Sequence, residues 1–399
     1  MLETLRSVLR FRPIGRDRVE RRLARCADVD DLRAAAKRRL PSGVFDYIDG
    51  AAEDEITLAA NAAAWRGVRL APRVLRDVSK VDLSTTLLGR PVPAPLALSP
   101  IGFARIADPQ GELAAARAAA ARGLPYTLST LGTRSIEEVA AVSTGPKWFQ
   151  VYVWRDRGLV RDMVQRAVAE GYEALLVTVD TAVFGRRERD VRRGFTLPPT
   201  VGLATIVDGV KHPGWTWSFL RGGPITFSNV AGSSTATAVT LSDFVNSQFD
   251  PSLSWRDLDW LRGISDLPVL LKGIGAVADA RIAASEGLPG LVISNHGGRQ
   301  LDRAPATLDL LEATVDAVGD SVEVLIDGGV RRGADLVVAR ALGARAVMVG
   351  RPVFYGLGAA GERGAGHALD QLLSGAERTM ALLGAATLDD VTRDMVVTR

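Results

Sequence analysis

Eight short apolar runs recur along the chain from about residue 94 onward, and most are followed by a segment with helical periodicity. The predicted strands cover residues 94–99, 125–129, 148–153, 174–179, 269–272, 291–294, 322–326 and 346–349. Their nearly continuous hydrophobicity, without alternation of polar and apolar residues, is typical of strands buried on both faces of a parallel sheet. The chain is therefore predicted to form a parallel sheet covered by helices.

Amphipathic helices are predicted at residues 111–122, 159–170, 276–286, 307–318, 331–342 and 365–383. Most of them end at a glycine, as helix C-termini often do. Eight parallel strands alternating with helices favour a (β/α)8 TIM barrel, an α/β fold. The alternative is an open doubly wound sheet, which would usually have a glycine-rich phosphate-binding turn after its first strand. No such turn follows residues 94–99.

The first 93 residues precede this alternation and are predicted to form helices and connecting segments that close one end of the barrel. Residues 1–30 are predicted to be a basic N-terminal arm, and residues 31–399 the main domain. The arm has eight arginines between residues 6 and 25, interleaved with leucines at helical spacing. It is predicted either to lie on an anionic membrane surface, or to be solvated or packed on its own domain.

A second interruption covers about residues 186–250, between the fourth and fifth predicted strands. This insert is rich in Gly, Pro, Ser and Thr and is far longer than the usual strand-to-helix loop. Loops of such length are often lids or contact surfaces. The aromatic residues at 212–220 are predicted either to contact a membrane interface or a partner, or to pack as a lid over the barrel opening.

Composition limits the classes of partner. The chain has 49 basic and 46 acidic residues, and its net charge of +3 is too small to predict a nucleic-acid partner. The single cysteine, Cys26, cannot form an internal disulfide bond. No run of about 18 apolar residues occurs, and the N-terminus lacks the apolar centre of a signal peptide. We therefore expect a cytoplasmic protein, at most associated with the cytoplasmic face of a membrane.

The C-terminal ends of the strands are where a barrel of this kind carries its chemistry. Polar residues and glycines occupy these ends: Gly102, Ser129, Gln150, Tyr152, Thr178, Asp180, Lys272, Ser294, Asn295, His296, Asp327, Gly328, Gly329, Gly350 and Arg351. The glycines and arginines at 327–333 and 349–351 follow the last two strands, where barrel enzymes usually bind phosphate. Ordinary tight turns are the alternative for these glycines.

Lys272 ends an apolar strand, where a buried ammonium group is costly unless it meets an anion or a developing negative charge. We therefore expect an electron-rich cofactor atom beside it. The alternative is a lysine that extends to solvent at the rim.

His296 is the one of three histidines that falls at a strand end, and Arg299 follows it within one turn. A guanidinium suits two-pronged binding of a carboxylate. A base that titrates near neutral pH, beside a carboxylate-binding group, predicts deprotonation of a small hydroxy acid. Asp180 is placed to orient His296 and to stabilise its protonated form. No metal site is predicted.

The motif at residues 294–302, Ser-Asn-His-Gly-Gly-Arg-Gln-Leu-Asp, resembles the signature of the FMN-dependent L-2-hydroxy acid oxidases and dehydrogenases. Further matching motifs lie at 45–47, 50–54, 148–152, 178–180, 185–190, 272–273 and 327–333. The resemblance extends from about Asp31 to the C-terminus. It implies a barrel enzyme that oxidises an L-2-hydroxy acid, with FMN as its cofactor.

The resemblance also implies roles for the matching residues. His296 is expected to be the catalytic base, Asp180 its partner, and Tyr152 the group that bonds the substrate hydroxyl. The residues expected to hold the substrate carboxylate are Tyr47, Arg187 and Arg299. Whether the α-hydrogen leaves as a proton or as a hydride stays open.

For the cofactor, the resemblance implies that Lys272 lies near the flavin N1 atom and Asp327 on the ribityl hydroxyls. The residues expected along the ring and ribityl chain are Pro100, Ile101, Gly102, Ser129, Gln150, Thr178 and Ser294. The residues expected around the phosphate are Gly328, Gly329, Arg331, Gly350 and Arg351.

Substrate and acceptor are also suggested by resemblance. Leu131 stands where glycolate oxidases have tryptophan and lactate dehydrogenases commonly have leucine, and Gly102 opens the pocket further. The segment 212–217 resembles bacterial respiratory L-lactate dehydrogenases, which pass electrons to membrane quinone. We therefore expect oxidation of L-lactate to pyruvate with a quinone or another respiratory acceptor, in a homo-oligomer, by resemblance a tetramer. No fused haem domain is expected.

Three alternatives stay open at this point. The first is an oxygen-dependent oxidase that produces hydrogen peroxide. The second is a flavin enzyme for a larger aromatic acid or a peptide. The third is a barrel that binds or scaffolds without catalysis.

Overall fold

A closed barrel of eight parallel strands forms the centre of the molecule in the computed structural model, which describes residues 17–194, 202–230 and 247–398. The strands are β1 Leu96–Ile101, β2 Tyr126–Ser129, β3 Lys147–Val151, β4 Ala174–Thr178, β5 Val269–Ile274, β6 Gly290–Ile293, β7 Glu323–Ile326 and β8 Ala346–Val349. Each strand pairs with its neighbours in sequence, and β8 closes on β1. The (β/α)8 barrel is thus confirmed, and the open-sheet alternative is wrong.

Helices cover the outside of the barrel. Those that follow the strands or precede β5 are Gly111–Ala120, Ile136–Val142, Arg157–Ala169, Asp257–Arg262, Val277–Ser285, Thr307–Val318, Gly333–Ala341 and Arg351–Leu383. The predicted helices are all present with small shifts at their ends, except that the last one begins at Arg351, much earlier than predicted. Helix Ile136–Val142, which begins at a capping box of Ser135 and Glu138, was not predicted.

The early start of the last helix was concealed by its glycines. A Cβ on Gly356 would lie 2.4 Å from the carbonyl oxygen of Gly364, and one on Gly358 would lie 2.8 Å from Leu40. These glycines therefore allow close packing within the kinked helix and against helix Val29–Arg39. Because glycine has a low helix propensity, the sequence pattern of these glycine-rich residues indicates a loop and not a helix.

The core has two parts. Apolar side chains between the strands and the outer helices form the larger one. The smaller one fills the barrel interior and includes Trp148, Leu270 and Met348, together with Leu87 and Val92. The last two belong to a hairpin of strands Thr85–Leu87 and Arg90–Val92. The first 93 residues thus close the N-terminal end of the strands, but they do so with a β-hairpin, and the prediction of helices and connecting segments at this end is wrong.

Among the described residues, four helices precede the barrel: Arg18–Leu23, Val29–Arg39, Ser42–Asp49 and Ile56–Gly67. The last of them packs on the loops that follow β6 and β7. The amide groups of Asn61 and Asn295 form two mutual hydrogen bonds of 2.9 Å, and the indole nitrogen of Trp65 donates to the carbonyl of Gly328 at 2.7 Å. This helix thereby fixes two strand ends. Residues 1–16 of the predicted arm lie outside the described residues, and the boundary at residue 30 stays a prediction.

The described parts of the insert after β4 include the helices Glu188–Arg193, Leu203–Lys211 and Pro213–Arg221, while residues 195–201 and 231–246 lie outside the described residues. The indole nitrogen of Trp215 donates to the carbonyl of Ile106 at 2.7 Å, and Arg105 donates to the carbonyl of Pro224 at 2.8 Å. These bonds attach the insert to the turn that follows β1. Among the described helices, none is both long and apolar enough to cross a membrane.

Candidate active site

A cavity opens at the C-terminal ends of the strands, and most of the predicted site residues line it. They are Tyr47, Pro100, Ile101, Gly102, Ser129, Gln150, Tyr152, Thr178, Arg187, Lys272, His296, Arg299, Asp327, Gly328, Gly329, Arg331, Gly350 and Arg351. Asp180 and Ser294 lie just behind this lining, and each forms a hydrogen bond with a residue that does line it. The structure thus places residues from all eight strand ends around one space.

One side of the cavity floor is a row of hydrogen bonds across β2, β3 and β4. The side-chain carbonyl of Gln150 accepts from the hydroxyl of Ser129 at 3.1 Å, and its amide nitrogen donates to the hydroxyl of Thr178 at 3.0 Å. All three side chains are buried. Because each group is held by a neighbouring strand, this row has one orientation before any ligand arrives.

The opposite side of the floor contains a buried ion pair. The ammonium nitrogen of Lys272 lies 2.8 Å from a carboxylate oxygen of Asp327 and donates to the hydroxyl of Ser294 at 2.8 Å. Lys272 is only 3% exposed, so the alternative of a lysine extending to the rim is wrong. The other carboxylate oxygen of Asp327 is buried and has no hydrogen-bond partner among the described residues. It is therefore available to accept from a ligand hydroxyl.

His296 and Asp180 form a pair at the edge of the same cavity. His296 and Gly297 both have left-handed backbones, with φ of 56° and 63°, and the backbone nitrogen of His296 donates to the Ser294 hydroxyl at 3.1 Å. This turn places Nδ1 of the imidazole 3.1 Å from a carboxylate oxygen of Asp180. No hydrogen bond from a described residue occupies the remaining ring nitrogen, Nε2, which can therefore exchange a proton with a ligand.

The pKa of Asp180 is set by opposing effects. Burial acts to raise it, but the charge and the hydrogen bond of His296, with the charge of Lys272, lower the pKa below its usual value. Asp180 is thus ionised at neutral pH. Its negative charge lies 3.1 Å from Nδ1 of the His296 imidazole.

Two arginines face the cavity without a carboxylate partner. Arg299 donates to the backbone carbonyls of Tyr47 at 2.6 Å and Gly50 at 3.0 Å, and Arg187 has a buried Nε with no partner in the described parts of the chain. Within those parts, neither forms an ion pair. Burial, with the repulsion from Arg187, lowers the pKa of Arg299 to about 9. The charge of Asp190 acts on both arginines but forms no ion pair with either, and two cations with one nearby carboxylate favour an anionic ligand.

A second cationic region lies at the ends of β7 and β8. Gly328 and Gly329 have left-handed φ angles of 90° and 88°, and a Cβ on Gly329 would lie 2.6 Å from the carbonyl oxygen of Asn61. Arg331 and Arg351 line the cavity beside them. Arg351 donates to the carbonyls of three residues, Ile48, Gly50 and Gly297, which holds its guanidinium in place. A phosphate group fits this region because fixed cations and backbone surround it.

These features fit FMN. The two-arginine region after β7 and β8 suits its phosphate, and the unpartnered oxygen of Asp327 suits a ribityl hydroxyl. The ammonium group of Lys272 suits the electron-rich edge of the ring. The Asp327 oxygen in particular is a buried acceptor that has no other partner among the described residues.

Several lining residues were not predicted. Phe227 reaches the cavity from the insert and packs on Phe103, with ring centroids 5.7 Å apart; Phe184 lines it from the loop after β4. Gln300 belongs to the recognised motif, but its role was not predicted: its amide donates to the carbonyls of Asp180 at 3.0 Å and Val183 at 2.9 Å. Insert residues have no periodic pattern that indicates burial, whereas the motif position of Gln300 was a usable signal.

Comparisons with known proteins agree with this geometry. The sequence profile of the FMN-dependent dehydrogenases matches residues 36–398. The chain is 43% identical to a putative L-lactate dehydrogenase of Mycobacterium tuberculosis over 388 residues, covering 97% of this chain and 93% of the relative. It is 44% identical to an L-lactate oxidase of Nostoc sp. over 362 residues, covering 89% and 94%.

A similar solved structure is that of a monotopic membrane protein, (S)-mandelate dehydrogenase. It superimposes with a TM-score of 0.91 at 38% identity, covering 94% of this chain and 100% of that one. Both the profile and the identities far exceed what a shared barrel alone produces. The chain therefore belongs to the FMN-dependent dehydrogenase family, and its cofactor is FMN.

Proposed function

We propose that this protein oxidises L-lactate to pyruvate with FMN and passes the electrons to a membrane quinone or another respiratory acceptor. One observation carries the proposal. His296, which is paired with Asp180 just behind it, lines the same cavity as Arg187 and Arg299, and neither arginine forms an ion pair among the described residues. A base beside cationic groups that can bind a carboxylate suits a 2-hydroxy acid, the substrate class of the family.

Each residue has a chemical task in this proposal. Arg187, Arg299 and the hydroxyl of Tyr47 hold the substrate carboxylate. Burial, with the negative charge of Asp180, raises the pKa of the Tyr152 phenol, so this group keeps its proton and donates to the substrate oxygen. His296 accepts the proton of the substrate hydroxyl. FMN, when bound, would supply the acceptor for the two electrons, and the acid loses its α-hydrogen as well as the hydroxyl proton.

The cofactor is held, in this proposal, by the residues expected from the motifs. Lys272 faces the flavin N1 edge and Asp327 the ribityl hydroxyls. The other contacts on the ring and ribityl chain are Pro100, Ile101, Gly102, Ser129, Gln150, Thr178 and Ser294. Those on the phosphate are Gly328, Gly329, Arg331, Gly350 and Arg351.

A lactate-sized side chain is supported by Leu131 and Gly102. Both line the cavity, and a Cβ on Gly102 would lie 3.3 Å from the Cβ of Leu131, so these residues form one wall together. Two rings, Phe184 and Phe227, also line the cavity and favour a second candidate, a larger aromatic acid. The similarity to a mandelate dehydrogenase supports the same candidate.

The acceptor is proposed from the surface of the insert. Helices Leu203–Lys211 and Pro213–Arg221 expose Ile206, Val210 and Leu220, which are 54%, 72% and 72% exposed. Apolar side chains beside basic ones are typical of contact with a membrane surface, where quinone is found. Oxygen is the alternative acceptor, supported by similarity to an L-lactate oxidase. A peripheral location and a tetramer stay predictions.

Flavin bleaching tests the proposal. The FMN-loaded protein is mixed anaerobically with L-lactate, glycolate, (S)-mandelate and D-lactate, and the loss of flavin absorbance is followed. L-Lactate is expected to bleach fastest and D-lactate not at all. Reoxidation by a soluble quinone, faster than by oxygen, supports the dehydrogenase; rapid reoxidation by oxygen with peroxide release supports the oxidase. Absence of bleaching by every acid would contradict both.

A further inference from the structure

A second cavity lies on the outside of the barrel, away from the strand ends. Its walls are helices Arg18–Leu23 and Val29–Arg39 and the turn at residues 211–215 that joins the two insert helices. Its volume is about 600 Å³. The cavity thus joins two parts of the chain that are nearly two hundred positions apart in sequence.

The charge of this cavity is strongly one-sided. Its lining contains seven basic side chains, namely Arg18, Arg21, Arg22, Arg25, Arg38, Arg39 and Lys211. Among the described residues that line it, the sole carboxylate is that of Asp31, which accepts from the backbone nitrogen of Ala27 at 2.8 Å. Such a concentration of basic side chains creates a positive potential that attracts anions.

Two of these arginines are held in place by backbone carbonyls. Arg39 donates to the carbonyl of Gly358 at 2.9 Å, and Arg22 donates to that of Ala359. Both carbonyls precede the kink at Ala360 and Gly361, where the long C-terminal helix leaves helical geometry. The kink therefore exposes acceptors that fix two guanidinium groups without neutralising them.

The remaining carboxylates near the cavity are used elsewhere. Asp28 pairs with Arg332 at 2.8 Å, and Asp17 pairs with Arg363. The one ion-pair partner of Arg39 among the described residues is Asp108, at 3.8 Å. Burial and the charge of Arg22 lower the pKa of Arg39, and they outweigh the opposite effect of Asp108. Across the described ranges, Arg18, Arg25 and Arg38 form no ion pair. The positive charge of the cavity is thus largely uncompensated.

We propose that this cavity binds a polyanion that carries two or more phosphate groups. A single phosphate would occupy little of the volume, and several guanidinium groups can each contact phosphate oxygens in pairs. The anion has two chemical sources, a diphosphate lipid head group or a soluble polyphosphate. The cavity adjoins the exposed apolar helices of the insert, so a lipid is the source favoured by position. This inference does not depend on the substrate proposed above.

The test uses the FMN-loaded full chain and two probes. Binding of inorganic triphosphate is measured by calorimetry. Binding to vesicles of phosphatidylcholine with cardiolipin, which has two phosphates, is measured by sedimentation, against phosphatidylglycerol vesicles of matched charge. The cavity variant is Arg25→Glu/Arg38→Glu. The control is Arg161→Glu/Arg281→Glu, which makes the same charge change at two exposed helix positions elsewhere.

The cavity variant is expected to weaken binding of a probe at least about tenfold, and the control to leave it within about twofold. Loss of cardiolipin binding alone identifies a lipid source, and loss of triphosphate binding alone a soluble one; either supports the proposal. The proposal would be overturned if neither probe bound, if the cavity variant bound as the wild type does, or if the control lost as much binding as the cavity variant. It would also be overturned if triphosphate did not bind and cardiolipin vesicles bound no better than phosphatidylglycerol vesicles. Bleaching by L-lactate should be unchanged, and if the variant unfolds, Arg18→Gln/Lys211→Gln replaces it.

Discussion

The ammonium nitrogen of Lys272 lies 2.8 Å from a carboxylate oxygen of Asp327, although β6 separates the strands β5 and β7 that carry them. Ser294, at the end of β6, accepts a hydrogen bond from the same ammonium group. Both charged side chains are almost completely buried. Each charge therefore compensates for the water that the other loses on burial. With Ser294, the pair connects three strand ends beneath the cofactor cavity.

Replacing Lys272 with Met should destabilise the protein by about 3–5 kcal/mol, because it leaves the buried carboxylate of Asp327 without a counter-charge. The measurement is urea unfolding at fixed FMN concentration. The double variant Lys272→Met/Asp327→Asn should recover part of the loss, since it also removes the unpaired charge. Simple addition of the two single effects would contradict a direct coupling between the residues.

Replacing His296 with Gln should leave FMN bound and abolish flavin bleaching by L-lactate, because glutamine cannot accept the proton of the substrate hydroxyl. Asp180→Asn should keep FMN bound and slow bleaching by roughly a hundredfold, since it removes the charge that stabilises protonated His296. Stopped-flow absorbance measures both rates. Full-rate bleaching by the His296 variant would show that another group is the base.

The barrel could be predicted because its signal is local. Each buried strand is apolar along its whole length, and polar residues such as Lys272 and Asp180 stand out at the ends. The pairing of His296 with Asp180 followed from their residue types and their positions at strand ends. Their contact, 3.1 Å between Nδ1 and the carboxylate, is present in the structure.

Other parts of the site depend on contacts that no local pattern records. Phe227 lines the cavity because the insert is attached to the turn after β1 through Trp215 and Arg105. Arg351 was expected at the phosphate, but the hydrogen bonds that it donates to three backbone carbonyls were not predicted. The glycines of helix Arg351–Leu383 indicate a loop until the packing partner of Gly358, Leu40, is known.

Replacing Arg299 with Lys should weaken binding of the acid by roughly ten- to a hundredfold, with a smaller change in kcat. An ammonium group cannot reproduce the two-pronged contact of a guanidinium with a carboxylate, whereas the base is untouched. KM and kcat for L-lactate measure the two effects. The control is Arg193→Lys, on the neighbouring helix Glu188–Arg193, where the side chain pairs with Asp46 at the surface. A fall in kcat alone would argue against carboxylate binding.

The pH dependence of acid binding tests the same residue. The pKa of Arg299 is about 9, and only the protonated guanidinium attracts the substrate carboxylate. Affinity for the acid should therefore decrease as pH rises past about 9. An affinity that stays constant through this range would mean that Arg299 keeps its charge there.

Replacing Leu131 with Trp should lower kcat/KM for L-lactate relative to glycolate by about tenfold or more, because the larger ring occupies space needed by the substrate methyl group. Leu131 lines the cavity and lies against Gly102, so the ring has little room to turn away. The matched control is Leu382→Trp, at a position that is 72% exposed. An unchanged ratio would place the substrate side chain against another wall.

Asp49 connects the N-terminal helices to the loop that carries Arg187. Its carboxylate accepts from Arg33 at 2.5 and 2.7 Å, from Arg189 at 3.0 Å and from the hydroxyl of Tyr355 at 2.7 Å. Burial acts to raise its pKa, but the hydrogen bonds from Arg33 and Tyr355 outweigh this and lower the pKa to about 2. A carboxylate with a depressed pKa stabilises the fold above its unfolded value, near 3.8, and this contribution is lost as pH falls through the folded value.

Asp49→Asn should therefore lower the free energy of unfolding by about 2 kcal/mol at neutral pH, the equivalent of the depression in pKa. The difference between wild type and variant should shrink as pH decreases from about 4 to about 2, because both side chains are then neutral. Urea unfolding across this range measures it, and the other carboxylates titrate in both proteins and cancel. A difference that stayed constant down to the lowest pH would mean that Asp49 contributes through packing, and that its charge does not hold the Arg187 loop in place.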